Sequence, residues 1–227
     1  MARLTIYVEG QTEQTFADNV LGKHLRNLGV AVGARLIAHA RKKGKVHRGG
    51  GRKYLPMKND LVRHLKQDSS SDAYFTTMID LYAIHADFPE LAEAEKLRQQ
   101  PEKRVEFLEE AFGRDIGDRR FIPYIQLHEF EALLFSDPRC FSLHCSERQI
   151  VALREIVDKT PPELIDDGKT SAPSKRILAA FPDYNKVADG PLVAELIGLE
   201  VIRGKCPHFA QWVSRLEGLG IISTKTQ

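Results

Sequence analysis

The chain has 227 residues, 42% of them hydrophobic and 28% charged, enough for one substantial domain with a real core. No apolar run approaches the roughly 20 residues that cross a bilayer, and residues 1–9 lack the apolar stretch and cleavage site of a signal peptide, so a soluble, cytoplasmic protein is expected. With 33 Lys and Arg against 31 Asp and Glu, the net charge of +2 excludes a globally basic chain, and any polyanion contact must be local.

In chain order, residues 3–8 form a short β-branched and apolar run that reads as a first strand. The turn Glu9-Gly10-Gln11-Thr12-Glu13 follows, and then Phe16, Val20, Leu21 and Leu25 recur at helical spacing. Residues 30–38 read as a second strand. Residues 41–53 hold Arg41, Lys42, Lys43, Lys45, Arg48, Arg52 and Lys53 with no acid, and Gly49-Gly50-Gly51 makes the stretch a loop. It is the expected nucleic-acid contact. Pro56 suits the first turn of a helix carrying Leu61, Val62 and Leu65.

Residues 73–80 are apolar almost throughout, as in a central strand covered on both faces. A charged, exposed helical region is expected over 90–112, a strand over 121–127 and a helical turn over 128–135. Beyond Pro138 helices are expected at 147–158, 174–180, 191–197 and 208–216. Strands alternating with helices predict an α/β fold with a mainly parallel sheet flanked by helices. The expected organisation is a core over residues 1–137 and a helical C-terminal extension over 138–227 packed on it. Cys140, Cys145 and Cys206 lack zinc-like spacing even with His144 between the first two, and read as reduced thiols.

In open α/β sheets, ligands bind beyond the C-terminal strand ends. Three predicted strands run into carboxylates there: Val8 into Glu9, Ile79 into Asp80, and Leu127-His128 into Glu129. A lone acid after a strand ordinarily caps a helix or lies in a solvated turn, and Glu13 could simply favour the first turn of its helix. Three such acids at one sheet edge favour a shared site. Gathered carboxylates repel unless a cation lies between them, and oxygen-only ligands suit Mg2+ or Mn2+.

The segment Val8-Glu9-Gly10-Gln11-Thr12-Glu13 resembles the first motif of Toprim domains, in the Glu-Gly-x-Thr-Glu form of the overcoming-lysogenization-defect (OLD) nucleases. Together with Met78-Ile79-Asp80-Leu81-Tyr82 and the run from His128-Glu129-Phe130-Glu131 to Asp137, it resembles the Toprim-related domain-of-unknown-function family numbered 4276. Ala172-Pro173-Ser174-Lys175-Arg176 and Arg203-Gly204-Lys205-Cys206-Pro207-His208-Phe209 are similar to that family's later motifs, so the resemblance spans nearly the whole chain.

The resemblance implies a Toprim-like fold and a divalent-metal-dependent nuclease. Glu9, Glu13, Asp80, Glu129 and Glu131 would be the metal ligands, and Glu9, Asp80 and Glu129 catalytic. The second position of the Toprim Asp-x-Asp motif is Tyr82 here, with Asp87 as a substitute from the loop. This departure keeps open a non-catalytic nucleic-acid-binding or regulatory module. Alternate helical residues diverge by about 200°, so Glu129 is favoured over Glu131 as the shared ligand. Lys175, with Arg176 and Arg203 behind it, is the expected cation facing the phosphate, against the alternative of a solvent-facing lysine. His128 and His208 are secondary acid–base candidates. OLD nucleases join a Toprim domain to an ABC-type ATPase. This sequence holds no Walker motif, so a separately encoded ATPase partner in phage defence is the corresponding expectation.

Overall fold

A computed structural model describes residues 1–37, 53–166, 168 and 170–224, with side chains as far as 221. The sheet is wholly parallel, in the order β2-β1-β3-β4, with β5 also paired to β3. The strands are β1 (Ala2–Val8), β2 (Val30–Leu36), β3 (Ala73–Asp80), β4 (Phe121–Ile122) and β5 (Ile125–Gln126). Parallel neighbours need crossovers, and the chain supplies helices for them. α1 (Gln11–Phe16), a π-helical stretch (Ala17–Leu21) and α2 (Gly22–Asn27) lie between β1 and β2, and α3 (Tyr54–Gln67) lies between β2 and β3. α4 (Leu91–Ala94) and α5 (Pro101–Ile116) precede β4. α6 (Glu147–Val157), α7 (Pro173–Ala180), α8 (Lys186–Ile197), α9 (Leu199–Lys205) and α10 (Pro207–Thr224) complete the chain.

Alternating strand residues divide the core into two layers, as the period of two requires. Ala2, Leu4, Ile6 and Val8 of β1, with Met78 of β3, join a cluster that includes Phe16, Leu25, Leu153, Ile177, Val193, Phe209 and Val213. Tyr7 of β1, with Phe75 and Ile79 of β3, joins the opposite cluster with Leu61, Val105, Leu108 and Phe112. The first cluster runs from β1 to Leu219, so the segments 1–137 and 138–227 share one core. α10 docks on the sheet by a polar contact as well. The indole N–H of Trp212 donates to Thr76 Oγ (2.9 Å), and the indole stacks on Tyr124 at 4.1 Å between centroids.

Several expectations need correcting. The strand expected over 121–127 is two short pieces, because Pro123 has no N–H to give a ladder. The segment 128–135 is not α-helical: Glu129 is extended (φ −156°) and a 3-10 helix spans Phe130–Ser136. The region 90–112 is neither continuous nor merely exposed. α4 and a 3-10 turn (Glu95–Leu97) precede α5, which buries Val105, Leu108, Ala111 and Phe112. The helix expected at 191 begins five residues earlier and carries Pro191 inside it, after Asn185 caps it by accepting from the Val187 and Ala188 N–H groups. Among the described residues, no helix is long and apolar enough to cross a membrane.

Candidate metal centre

Strand register brings distant acids together. Val8 pairs with Met78 across β1 and β3, and Asp80 pairs with Gln126 across β3 and β5. Glu9, Asp80 and Glu129 therefore lie at the C-terminal ends of three adjacent strands. Glu9 Oε1 accepts from the Asp80 N–H (3.3 Å), and Asp80 Oδ1 accepts from the Phe130 N–H (2.9 Å), tying the three ends to each other. Glu13 arrives from the first turn of α1, where the helix dipole favours an acid. Gly10 leaves room for it, since a Cβ there would approach Glu13 Oε2 to 3.1 Å.

At the centre of these acids stands a lysine that the sequence reading missed. Lys186 Nζ lies 3.0 Å from Glu131 Oε2, 3.8 Å from Glu13 Oε1 and 3.8 Å from Asp80 Oδ2. Glu13, Asp80 and Glu131 are all buried, with Glu131 fully inaccessible. Lys186 is the first residue of α8, a position where a positive charge opposes the helix dipole. That local mismatch was the available signal that the lysine serves something other than its helix. α8 is seated by Thr12, whose hydroxyl donates to the Lys186 carbonyl (3.3 Å), and by Gly190, where a Cβ would meet Tyr184 Oη at 3.0 Å.

One ammonium does not neutralise three carboxylates. Burial pushes the Asp80 carboxyl well above the usual carboxylate range; Lys186 opposes the shift, and Glu13, Glu9 and Glu131 add to it. Burial likewise pushes Glu131 up to about 7, against the pull of Lys186. The same acids hold the Lys186 ammonium charged in spite of its desolvation. The oxygens gathered at Lys186 all come from carboxylates, the donor type that hard divalent cations take, and Lys186 supplies part of the positive charge there. Among the described residues, no three His, Cys, Asp or Glu side chains form a ready-made ligand set. An ion would require Lys186 to draw back, and its side chain is 37% exposed.

The other predicted positions divide. Glu131, rather than the favoured Glu129, meets Asp80 and Glu13 at Lys186; Glu129 is engaged at α7, accepting from the Ser174 N–H (2.5 Å) and hydroxyl (3.0 Å). The 3-10 geometry after Glu129 removes the helical constraint on which that preference rested. Lys175 is exposed on α7, and the cation at the acids is Lys186. Arg176 donates to the Ser171 carbonyl and Arg203 pairs with Glu217 at 2.7 Å. Tyr82 is 55% exposed, and desolvation of its hydroxyl plus the charges on Asp80, Glu129 and Glu9 keep the phenol protonated. Asp87 does not replace it: its carboxylate accepts from the Tyr54 N–H at the start of α3 (2.9 Å).

His208 is held against Glu109 (3.0 Å) and stacked on Tyr124, and it lines a cavity of about 540 Å³ with Trp212 and Arg215 that contains none of the five acids. Cys140, Cys145 and Cys206 are free thiols. Of the basic loop, Lys53 is exposed; Arg41, Lys42, Lys43, Lys45, Arg48 and Arg52 lie outside the described residues.

The family model described as Domain of unknown function (DUF4276) matches residues 8–217. The chain belongs to that family. The match takes in every acid of the centre and Lys186. Among solved structures, the DUF4276 chain is similar to the C-terminal region of the Xanthomonas campestris pv. campestris OLD protein, at 13% identity and a TM-score of 0.48, covering 99% of this chain and 97% of that one. It is also similar to the C-terminal region of the Burkholderia pseudomallei OLD protein, at 18% identity and a TM-score of 0.46, covering 96% and 99%. A comparison with curated proteins gave no match.

Proposed function

We propose that this DUF4276 chain is a divalent-metal-dependent phosphodiester hydrolase acting on nucleic acid, with the acids at the ends of β1, β3 and β5 as its centre. The observation that carries the reading is the convergence of Glu13, Asp80 and Glu131 on Lys186 within 3.0 to 3.8 Å. Structural ion pairs rarely bury three acids around one base, because unpaired buried charge is costly. The Toprim-like motif at residues 8–13 supports the same reading.

Glu9, Glu13, Asp80 and Glu131 would hold Mg2+ or Mn2+, with Glu129 fixing α7 beside them. Such an ion polarises a phosphate and lowers the pKa of a bound water. The chain's own groups do the rest. Lys186, displaced from the acids, offers a mobile ammonium to the phosphate oxygens, where positive charge counts most as negative charge builds. Tyr82, kept neutral, can donate a hydrogen bond at the rim where the resemblance places a second acid. The basic loop at 41–53 would follow the backbone. By the same resemblance, a separately encoded ABC-type ATPase would be the partner in phage defence, and co-purification from the native cell tests this.

The deciding experiment incubates the purified chain with DNA and RNA in Mg2+ or Mn2+, alone and with any co-purifying partner. Cleavage by the wild type that Glu9→Gln abolishes supports the hydrolase. No cleavage, or equal cleavage by Glu9→Gln, overturns it. A second reading rests on Tyr82 replacing an acid and Lys186 filling the centre: a nucleic-acid-binding module without catalysis. Tight binding that survives chelation and Glu9→Gln, with no cleavage, would favour that one.

A further inference from the structure

One residue before Glu129, His128 lines a different cavity, of about 270 Å³. Its walls come from three separated segments: Arg98, Gln99 and Arg104 around the start of α5, His128 beyond β5, and Asp166 ahead of α7. None of the five acids of the centre lines it.

The cavity is built for an anion. Arg104 is 9% exposed, and although one terminal nitrogen reaches Glu95, its buried Nε–H has no hydrogen-bond partner. A buried donor left unmade is costly, the more so when charged, so a guanidinium kept in this state beside a cavity is a ligand donor in waiting. α5, a 16-residue helix, begins here with Pro101 in its first turn, adding the positive end of its dipole. Among the described lining residues Asp166 is the one carboxylate, and it is already engaged within its own turn, accepting from the Gly168 N–H (2.9 Å) and the Ser171 hydroxyl. Glu95, outside the lining, pairs with both Arg98 (3.1 Å) and Arg104 and leaves the two guanidinium groups with a net positive charge. His128 sits in the left-handed region (φ 60°), a sharp backbone bend between β5 and the 3-10 helix that carries Glu131 to the centre.

We propose that this cavity is an anion site that takes a phosphate of the nucleic-acid backbone neighbouring the phosphate at the acidic centre. The identity of the ligand rests on the hydrolase reading; the anion site itself does not. Two guanidinium groups and an imidazole offer planar, multi-donor recognition of phosphate, which a lone lysine cannot.

The test uses the full chain in chelator, with inorganic phosphate titrated calorimetrically and single-stranded DNA and RNA followed by fluorescence anisotropy. Saturable phosphate binding is expected, weakened ~10-fold or more by Arg104→Gln and at least ~3-fold by Arg98→Gln, and unchanged by Glu9→Gln. Circular dichroism checks that Arg104→Gln is folded; if it is not, Arg98→Gln, on an exposed side chain, decides. Oligonucleotide affinity should fall with the same two variants. No saturable phosphate binding, or binding equal to wild type in the folded variants, overturns the site. Phosphate binding with unaltered oligonucleotide affinity overturns its assignment to the backbone and leaves free phosphate as the ligand. Both titrations proceed without metal, so a failure to cleave, which would sink the hydrolase, leaves their outcome intact.

Discussion

Lys186 sets the character of the centre, because it is at once its counter-ion and the obstacle to another. Removing its charge has two effects of opposite sign. Without metal, Lys186→Met leaves Asp80, Glu13 and Glu131 facing each other with no cation, and the chain should lose roughly 1–3 kcal/mol, below the full cost of breaking a buried pair because the lysine is partly solvated. With metal, the same variant no longer competes for the oxygens, and Mn2+ should bind ~10-fold more tightly or better. Urea unfolding and Mn2+ titration by electron paramagnetic resonance read the two effects. Destabilisation without any gain in Mn2+ affinity would make Lys186 a structural ion and the acids a poor ligand set. The residue-level part of the site was only half legible. Glu9, Asp80 and Glu129 announce themselves because each ends a strand, and strand ends in a parallel sheet share an edge. Lys186 lies 55 residues beyond Glu131 on a helix the apolar pattern starts too late, so no local period points from one to the other.

Elements were legible where an unbroken apolar run or a helical apolar spacing marks them. β1, β3 and the helices α3 and α6 follow from apolar spacing. The 121–127 segment reads as one strand by composition but is cut at Pro123, and the 3-10 turn over Phe130–Ser136 buries every side chain, so it offers no amphipathic period to read. What seats α10 on the sheet is likewise invisible to periodicity: a single indole stacked on Tyr124 and bonded to Thr76, both side chains buried. Trp212→Phe removes the bond and part of the stacked area together, and should cost about 2–3 kcal/mol in urea unfolding. Because Thr76 lies four residues before Asp80 on β3, the same loosening should also weaken Mn2+ binding. A loss of stability with Mn2+ affinity intact would show that α10 stabilises the sheet without positioning its acidic end.

At the scale of the whole molecule, a net charge of +2 gives no long-range pull on nucleic acid, and the acidic centre repels it. On the proposed function, attraction comes from local concentrations of charge, and residues 41–53 hold seven Lys and Arg and no acid. The consequence is a thermodynamic signature independent of catalysis. Each phosphate neutralised releases condensed counterions, so the logarithm of affinity falls with the logarithm of salt concentration by about 0.9 per contact on duplex and 0.7 on single strands. Replacing Lys42, Lys43 and Lys45 together by Gln removes up to three contacts and should shallow that slope by as much as about 2.7 on duplex, with little change in unfolding free energy. Anisotropy titrations in chelator between roughly 50 and 200 mM salt measure it over the range where the effect is large. A variant with the wild-type slope would take Lys42, Lys43 and Lys45 out of the interface and shift the phosphate contacts to other cations of the chain.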